Sequence, residues 1–594
     1  MNRLFEENKK RKIISLDGVW KFAPDPLNEG TGKGWASRPP SSCVETPVPS
    51  LWTCAHGFYN YEGVAWYFRE FDYDGTSGFA ALVFHGVTGF AGVYVDGSLM
   101  ASHYGSFTGF EVPLKNLKKG KRLLALRVDN THNQKDTIPL ARVDWYHHGG
   151  ISRSVELHLH NELRISGFLI RYELSKLVKD SASAESAESV EIEEIEFEIF
   201  LKSASSKAVN KNIKIFMDHR QIAETDAEIK DGATVRLSCK PGKVRLWSPE
   251  SPVLYRFDAE IGEEDGLAEM TGFRKIEAKD GKLFLNGHAL RLKGINRHEE
   301  HPDFGWALPL PVQFRDMAII KEAGCNAVRG SHYLNAQTFL DLCDREGMLF
   351  WEEIPMWGFP EEALREKTVL DRGLVMHTEM VNRDLNHPCV ILWGLHNEID
   401  TRKDSGLKIT KEFARCIRGL DTSRPLTYAT MYPMEDICFS EADVISVNRY
   451  FGWYGEDKRD WEKFLNDFTA KLEREGQGAK PLIISEFGAG GVPGVRNFEN
   501  QKWSEDYQSE YLDYTLKLFL ADRRIAGMFI WQYCDIRVCA EHIMGRPRGF
   551  NNKGIVDEYR RPKTAFKTAA SLYGGAQFFR YRSSGCLPIP RTVD

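Results

Sequence analysis

Short runs of alternating apolar and polar residues fill the first part of the chain. Examples are Val19-Trp20-Lys21-Phe22, Trp66-Tyr67-Phe68-Arg69-Glu70-Phe71 and Ala80-Ala81-Leu82-Val83-Phe84, separated by Gly, Pro, Asp and Asn. A period of two puts successive side chains on opposite faces, so residues 1–160 predict a β-sandwich of half-buried strands and tight turns. Residues 161–272 continue in β, most clearly over 189–200, where apolar and acidic positions alternate. The small, polar, acidic stretch 180–188 just before reads as a solvated loop, and a second, smaller sandwich fits the whole segment.

From residue 273 to 594 the rhythm changes to strand followed by helix. Apolar runs at 289–298, 327–333, 349–355, 390–398, 425–431, 444–450, 481–488 and 527–535 predict strands. Amphipathic patterns such as 312–323, 336–347, 409–420 and 504–520 lie between most of them. Eight strands alternating with helices predict a (β/α)8 barrel, and the fold class is therefore multidomain, β plus α/β.

Composition adds little to this picture but excludes some functions. At 594 residues the chain is too long for one core, so three or more domains are expected. A net charge of -6 argues against non-specific nucleic-acid binding, which needs a basic surface. The 11 cysteines are odd in number, scattered and without a CxxC pair, as expected of buried thiols in a reducing compartment. No apolar core of a signal peptide opens the chain and no stretch is long enough to span a bilayer. A cytoplasmic protein with no membrane partner is the expectation.

Two glutamates change the picture most. Glu398 ends the apolar run 390–397 and Glu486 ends 481–485. An unpaired carboxylate costs several kcal/mol to desolvate, so a glutamate finishing a buried strand is either paired or used. The strands of a parallel barrel end at one mouth, where two opposed carboxylates are the minimum equipment of a glycosidase. A separation of roughly 5–5.5 Å would imply a retaining double displacement. Asn296, Arg297, His298, Arg329, His332, Tyr333, Asn397, Asn448, Tyr450 and Trp531 crowd the same ends. His298-Glu299-Glu300-His301 invites a metal reading, but its spacing is not HExxH and Pro302 follows. Strand-end hydrogen bonding fits better, and no metal or other cofactor is expected.

Asn397-Glu398 after Trp393-Gly394-Leu395-His396, Ser485-Glu486-Phe487-Gly488-Ala489, and Leu285-Asn286-Gly287 running into Lys293-Gly294-Ile295-Asn296-Arg297-His298 resemble the motifs of glycoside hydrolase family 2. The resemblance implies a jelly-roll sugar-binding sandwich, an immunoglobulin-like sandwich and a catalytic barrel. Within the family, Asn448-Arg449-Tyr450-Phe451-Gly452-Trp453-Tyr454 and Asn551-Asn552-Lys553-Gly554 are similar to β-glucuronidases, whose Asn-x-Lys signature grips the uronic acid carboxylate. In an extended segment, residues i and i+2 point the same way, so Asn551 and Lys553 can converge on one carboxylate.

The same resemblance implies a role for each matching residue. Glu398 is the general acid/base and Glu486 the nucleophile. Asn397 bonds the 2-hydroxyl, Tyr450 orients the nucleophile, Tyr454 helps hold the carboxylate and Trp531 walls the sugar. Asp144 reaches in from the first sandwich to the 4-hydroxyl, with His332 close by. Glucuronidases usually carry Arg four residues before the signature Asn, where this chain has Pro547 flanked by Arg546 and Arg548. Arg548 is taken as a substrate contact, and a β-galacturonidase or dual-specificity hexuronidase stays open beside a β-glucuronidase. A neutral β-galactosidase or β-mannosidase and a non-catalytic carbohydrate-binding protein are the remaining alternatives. The segment 358–388 is shorter than in glucuronidases with a long lid loop, which implies an open aglycone side. The expected partner is a small-molecule or oligosaccharide β-uronide, and a homo-oligomer, dimer or tetramer, is expected.

Overall fold

The computed structural model describes residues 3–75, 79–114, 117–174, 189–204, 207–539 and 545–574. Two antiparallel sheets make the first sandwich. The larger runs Val44–Val48, Gly18–Asp25, Val64–Tyr73, Gly120–Asp129, Phe90–Val95, Ser98–Tyr104. The smaller runs Lys12–Ser15, Val155–His160, Phe79–Phe84, Phe110–Pro113. Trp20, Phe22, Tyr67, Leu82, Phe84 and Leu126 fill the space between them. Alternation holds at Trp20 and Phe22, which are buried between exposed Val19 and Lys21. It fails at 64–68, where all five residues are buried. The outer face of this central strand is covered too, by a small cluster of Trp66, Phe68, Ala23 and Ala36 with Trp35 against it. A strand covered on both sides has no solvent face to mark with polar residues.

The second sandwich packs Leu163–Tyr172, Ile195–Ser203 and Thr234–Cys239 against Arg220–Ile229, Val209–Met217, Tyr255–Ile261 and Asp265–Thr271. Ile195, Phe197, Ile199 and Leu201 point into its core. The run predicted over 189–200 is two strands. Ser189–Ile192 pairs with Gly242–Arg245, and after exposed Glu193 and Glu194 the chain enters a different sheet. The loop predicted over 180–188 lies outside the described residues.

Eight parallel strands close the barrel: β1 (Leu292–Asn296), β2 (Ala327–Arg329), β3 (Leu349–Glu353), β4 (Val390–Asn397), β5 (Leu426–Thr430), β6 (Val444–Asn448), β7 (Leu482–Phe487) and β8 (Ile525–Ile530). Nearly every strand residue is buried, as expected where helices cover one face and the barrel core the other. Helices follow all strands but β5, after which only a 3-10 turn, Phe439–Glu441, forms. The first strand is shorter than its apolar run. Asn286 and Gly287, both at positive φ, turn the chain so that His288–Leu290 pairs back on Lys282–Leu285. Among the described residues, no helix is long and apolar enough to cross a membrane.

One connection between sandwich and barrel matters for the site. The segment before the sandwich strand Gly150–Ile151 carries Trp145, 1% exposed, into a nest of His298, His332, Tyr333 and Trp357 from the barrel. His148 bonds Glu300 at 2.8 Å and Arg153 reaches Glu299 at 3.3 Å. A buried tryptophan of this kind is worth about 3–5 kcal/mol, so the strap is docked firmly on the barrel mouth.

Candidate active site

The C-terminal ends of the barrel strands bring the candidate catalytic residues together. Glu486 leaves β7 with both carboxylate oxygens engaged. Arg329 Nη1 donates to Oε1 at 2.7 Å and the Tyr450 hydroxyl donates to Oε2 at 2.6 Å. Burial, followed by the Glu486 charge, pushes the Tyr450 phenol well up, so it stays a donor. Arg329 is itself fixed on all sides. It forks onto Glu353 at 3.0 and 2.9 Å and donates to Asn296 at 3.1 Å and Asn397 at 2.7 Å. His332 bonds Glu353 through Nδ1 at 2.8 Å and stacks on Trp531 at 5.0 Å. Burial, and then the Arg329 charge, push His332 down to about 3, so the ring is neutral.

Glu398 follows β4 in a left-handed turn, φ 53°. Its backbone N–H is tied to Ala429 on β5 at 2.8 Å, and Asn448 Nδ2 donates to its side chain at 2.9 Å. Asn448 also donates to Asn397 Oδ1 at 3.1 Å. An unbroken chain of hydrogen bonds thus joins the two acids: Glu398, Asn448, Asn397, Arg329, Glu486. Burial, and second the Glu486 charge, raise Glu398 to about 8. Glu398 therefore keeps its proton to higher pH than an ordinary carboxyl, beside the ion pair of Arg329 with Glu486. Among the described residues, Asn397 Nδ2 is buried without a hydrogen-bond partner.

A second cluster adjoins this one. Lys553, 1% exposed, donates from Nζ to the Tyr454 hydroxyl at 2.8 Å and faces the rings of Tyr454, Tyr450 and Trp453 at 4.9, 5.6 and 5.7 Å. No carboxylate forms an ion pair with it among the described residues, and burial lowers its pKa. Asn551 Nδ2 donates to Asp144 Oδ2 at 2.7 Å, and Arg546 Nη2 bonds both Asp144 oxygens at 2.9 and 2.8 Å. Asn552 turns aside, bonding the carbonyls of Pro547 and Phe550 at 2.9 and 2.7 Å.

Known proteins match this architecture over nearly all of its length. The family model for the glycosyl hydrolases family 2 TIM barrel domain matches residues 276–578, and that for the family's sugar binding domain matches 13–161. The chain belongs to glycoside hydrolase family 2. It is a glycosidase. A β-galacturonidase of Eisenbergiella tayi solved with bound galacturonate is 33% identical, with a TM-score of 0.88 over 97% of this chain and 99% of its own. A β-glucuronidase of Ruminococcus gnavus solved with uronic deoxynojirimycin is 26% identical, with a TM-score of 0.82 over 96% and 98%. A β-glucuronidase of Paenibacillus borealis is 27% identical over 95% of this chain and 97% of its own.

Most of the residues singled out from the sequence of this family 2 enzyme meet at the mouth, but one does not. Arg548 turns away from Asp144 and forks onto Glu558 at 2.8 and 3.0 Å, with Asn552 at 3.2 Å. Its left-handed backbone, φ 61°, aims it out of the cluster, and Arg546 takes the place on Asp144. His332 bonds Glu353 and stacks on Trp531, with the ring of Trp145, the neighbour of Asp144 in the chain, 5.5 Å away. The acids and histidines of 298–301 go to separate partners: Tyr333 for His298, Arg153 for Glu299, His148 for Glu300, and the Asp303 N–H for His301. The pattern of the chain did not single out Arg329 and Glu353 as a pair. A signal for Glu353 exists, because it ends an apolar run just as Glu398 and Glu486 do.

Proposed function

We propose that this family 2 enzyme is a retaining, exo-acting β-hexuronidase that hydrolyses β-D-glucuronides by double displacement. Lys553 carries the reading. A fully buried ammonium without a carboxylate partner is costly, and a uronate carboxylate held by Lys553, Asn551 and the Tyr454 hydroxyl offsets that cost. A neutral sugar does not. In the first step Glu486 attacks the anomeric carbon while protonated Glu398 gives its proton to the leaving oxygen. In the second, Glu398, now the base, activates water, which releases the sugar from Glu486. Asn397 Nδ2 donates to the 2-hydroxyl, Tyr450 aims the nucleophile, and Trp531 with neutral His332 walls the ring. Asp144, braced by Arg546, accepts from the 4-hydroxyl.

A galacturonide is the second reading. Pro547 stands where the resemblance puts an arginine, the guanidinium on Asp144 comes from Arg546 instead, and likeness to the galacturonidase is the higher at 33% against 26%. Side-by-side kcat/KM on p-nitrophenyl β-glucuronide, galacturonide, glucoside and galactoside tests both. Preference for either uronide by about tenfold or more supports the hexuronidase, and the ratio between them fixes C4. Equal rates on uronides and neutral sugars would refute it.

A further inference from the structure

Asp144 is the one proposed sugar contact that the barrel does not carry, so something must set its distance from Asn551. Arg537 is in the place to do so. Its backbone pairs with the strand that bears Asn551: Ile536 lies opposite Asn551 and Arg537 opposite Phe550. Its side chain leaves the barrel and enters the sandwich. The guanidinium lies between the Tyr59 and Tyr146 rings, 3.3 and 3.4 Å from their centroids. It also donates to the carbonyls of Thr53 and Tyr59 at 3.2 and 2.6 Å and to Asn60 Oδ1 at 2.9 Å. The Tyr146 hydroxyl donates to the Tyr59 carbonyl at 3.0 Å and shuts the clamp. Tyr146 is two residues from Asp144, and on the other side Cys539 Sγ, two residues beyond Arg537, donates to the Val143 carbonyl at 2.8 Å.

We propose that Arg537 is a positioning residue that registers the Asp144 strap of the sandwich against the Asn551 strand of the barrel. Five polar and ring contacts converge on one guanidinium, which belongs to a residue only 7% exposed. Arginine suits the role because its planar fork can stack on two rings and hydrogen-bond in its plane at once, which lysine cannot. Asp144 then meets the 4-hydroxyl with a geometry fixed by two domains, and losing the clamp misplaces it by a fraction of an ångström or more. Errors of that size are enough to cost up to about a hundredfold when orientation matters.

The inference rests on Asp144 reading the 4-hydroxyl, and the experiment separates the two. kcat and KM are measured on the preferred p-nitrophenyl hexuronide and on its 4-deoxy analogue. The enzymes are Asp144→Ala, Arg537→Ala, Arg537→Lys, Tyr59→Ala and the Asp144→Ala/Arg537→Ala double variant. Arg537→Ala is expected to lower kcat/KM on the hydroxylated substrate about tenfold or more, mainly through KM, and on the 4-deoxy analogue by less than about threefold. Lysine should restore part of the loss. Tyr59→Ala removes a half-exposed ring, 49% exposed, and gives the same selective loss in smaller degree, so the test survives if Arg537→Ala does not fold. The double variant should lose no more than Asp144→Ala alone, because the clamp acts through Asp144. Equal losses on both substrates, or additive losses in the double variant, would overturn the role of Arg537 while leaving Asp144 in place. An unchanged hydroxyl-to-deoxy ratio in Asp144→Ala would overturn the reading of Asp144 itself, and the clamp with it.

Discussion

The proposed reactive centre and the proposed sugar-reading cluster lie side by side yet are built differently. Asn296, Arg329, Glu353, Asn397, Asn448 and Glu486 all sit on or at the ends of strands of one closed barrel, and their side chains bond one another. Asp144, Tyr454, Arg546, Asn551 and Lys553 come from a sandwich strap and from loops after β6 and β8. The first cluster is held by the strand ladder, the second by side chains that meet across a domain boundary. Chemistry needs atoms fixed to fractions of an ångström, which rigid strands provide. Specificity resides in loops that can be re-aimed without disturbing them.

The largest test of this contrast strikes the centre. Glu486→Ala and Glu398→Ala should each lower turnover by several orders of magnitude, since each removes the main group of a proposed chemical step. Added azide should rescue Glu486→Ala with inversion and Glu398→Ala with retention, and product stereochemistry by NMR reads the outcome. A swapped result would reverse the two roles.

Damage to the second cluster should be smaller and substrate-dependent. Lys553→Ala removes a charge-assisted bond of about 1.5–3 kcal/mol, so kcat/KM on the uronide should fall roughly ten- to 150-fold while a neutral glucoside is hardly affected. Equal losses on both would make Lys553 a structural residue. Arg546→Ala should change the glucuronide-to-galacturonide ratio by about tenfold, whereas Arg548→Ala, whose guanidinium is paired with Glu558, should change it little. If the two arginines behave alike, the contact between Arg546 and Asp144 does not govern C4.

The mildest effect concerns the proton on Glu398. In the proposed first step its acid form is the active one, so kcat/KM should fall as pH rises through about 8. The Glu486 charge is the second cause of that elevation, after burial. Carboxyl NMR titration should therefore show Glu398 ionising at lower pH in Glu486→Gln than in the wild type. No movement would mean that burial alone sets the value.

The strand-helix rhythm made the barrel legible because each buried strand must be an unbroken apolar run, and an acid at its end stands out. Glu398 and Glu486 could be marked on that ground, whereas the Asn551-Lys553 pair was marked through its resemblance to the family signature. Strand ends were harder: Ala289 and Leu290 continue the apolar run of β1 but belong to a hairpin, because periodicity does not register a turn at Asn286-Gly287. Arg329 was visible as a strand-end residue, but not as the hub between Glu353, Asn397 and Glu486.

The chain by itself determined whatever depends on local pattern: two sandwiches, a barrel, and two carboxylates at one mouth. Only the tertiary structure decided the contacts between residues far apart in sequence. Arg546 and Arg548 are near neighbours of equal chemistry, and a left-handed turn at Arg548 sends one to Glu558 and leaves the other on Asp144, 402 residues away. Arg537 carried no motif at all, and its place between Tyr59 and Tyr146 exists only once sandwich and barrel have docked. Periodicity encodes which face of an element is buried. It does not encode which element will cover that face, because the covering is chosen by the packing of the whole molecule.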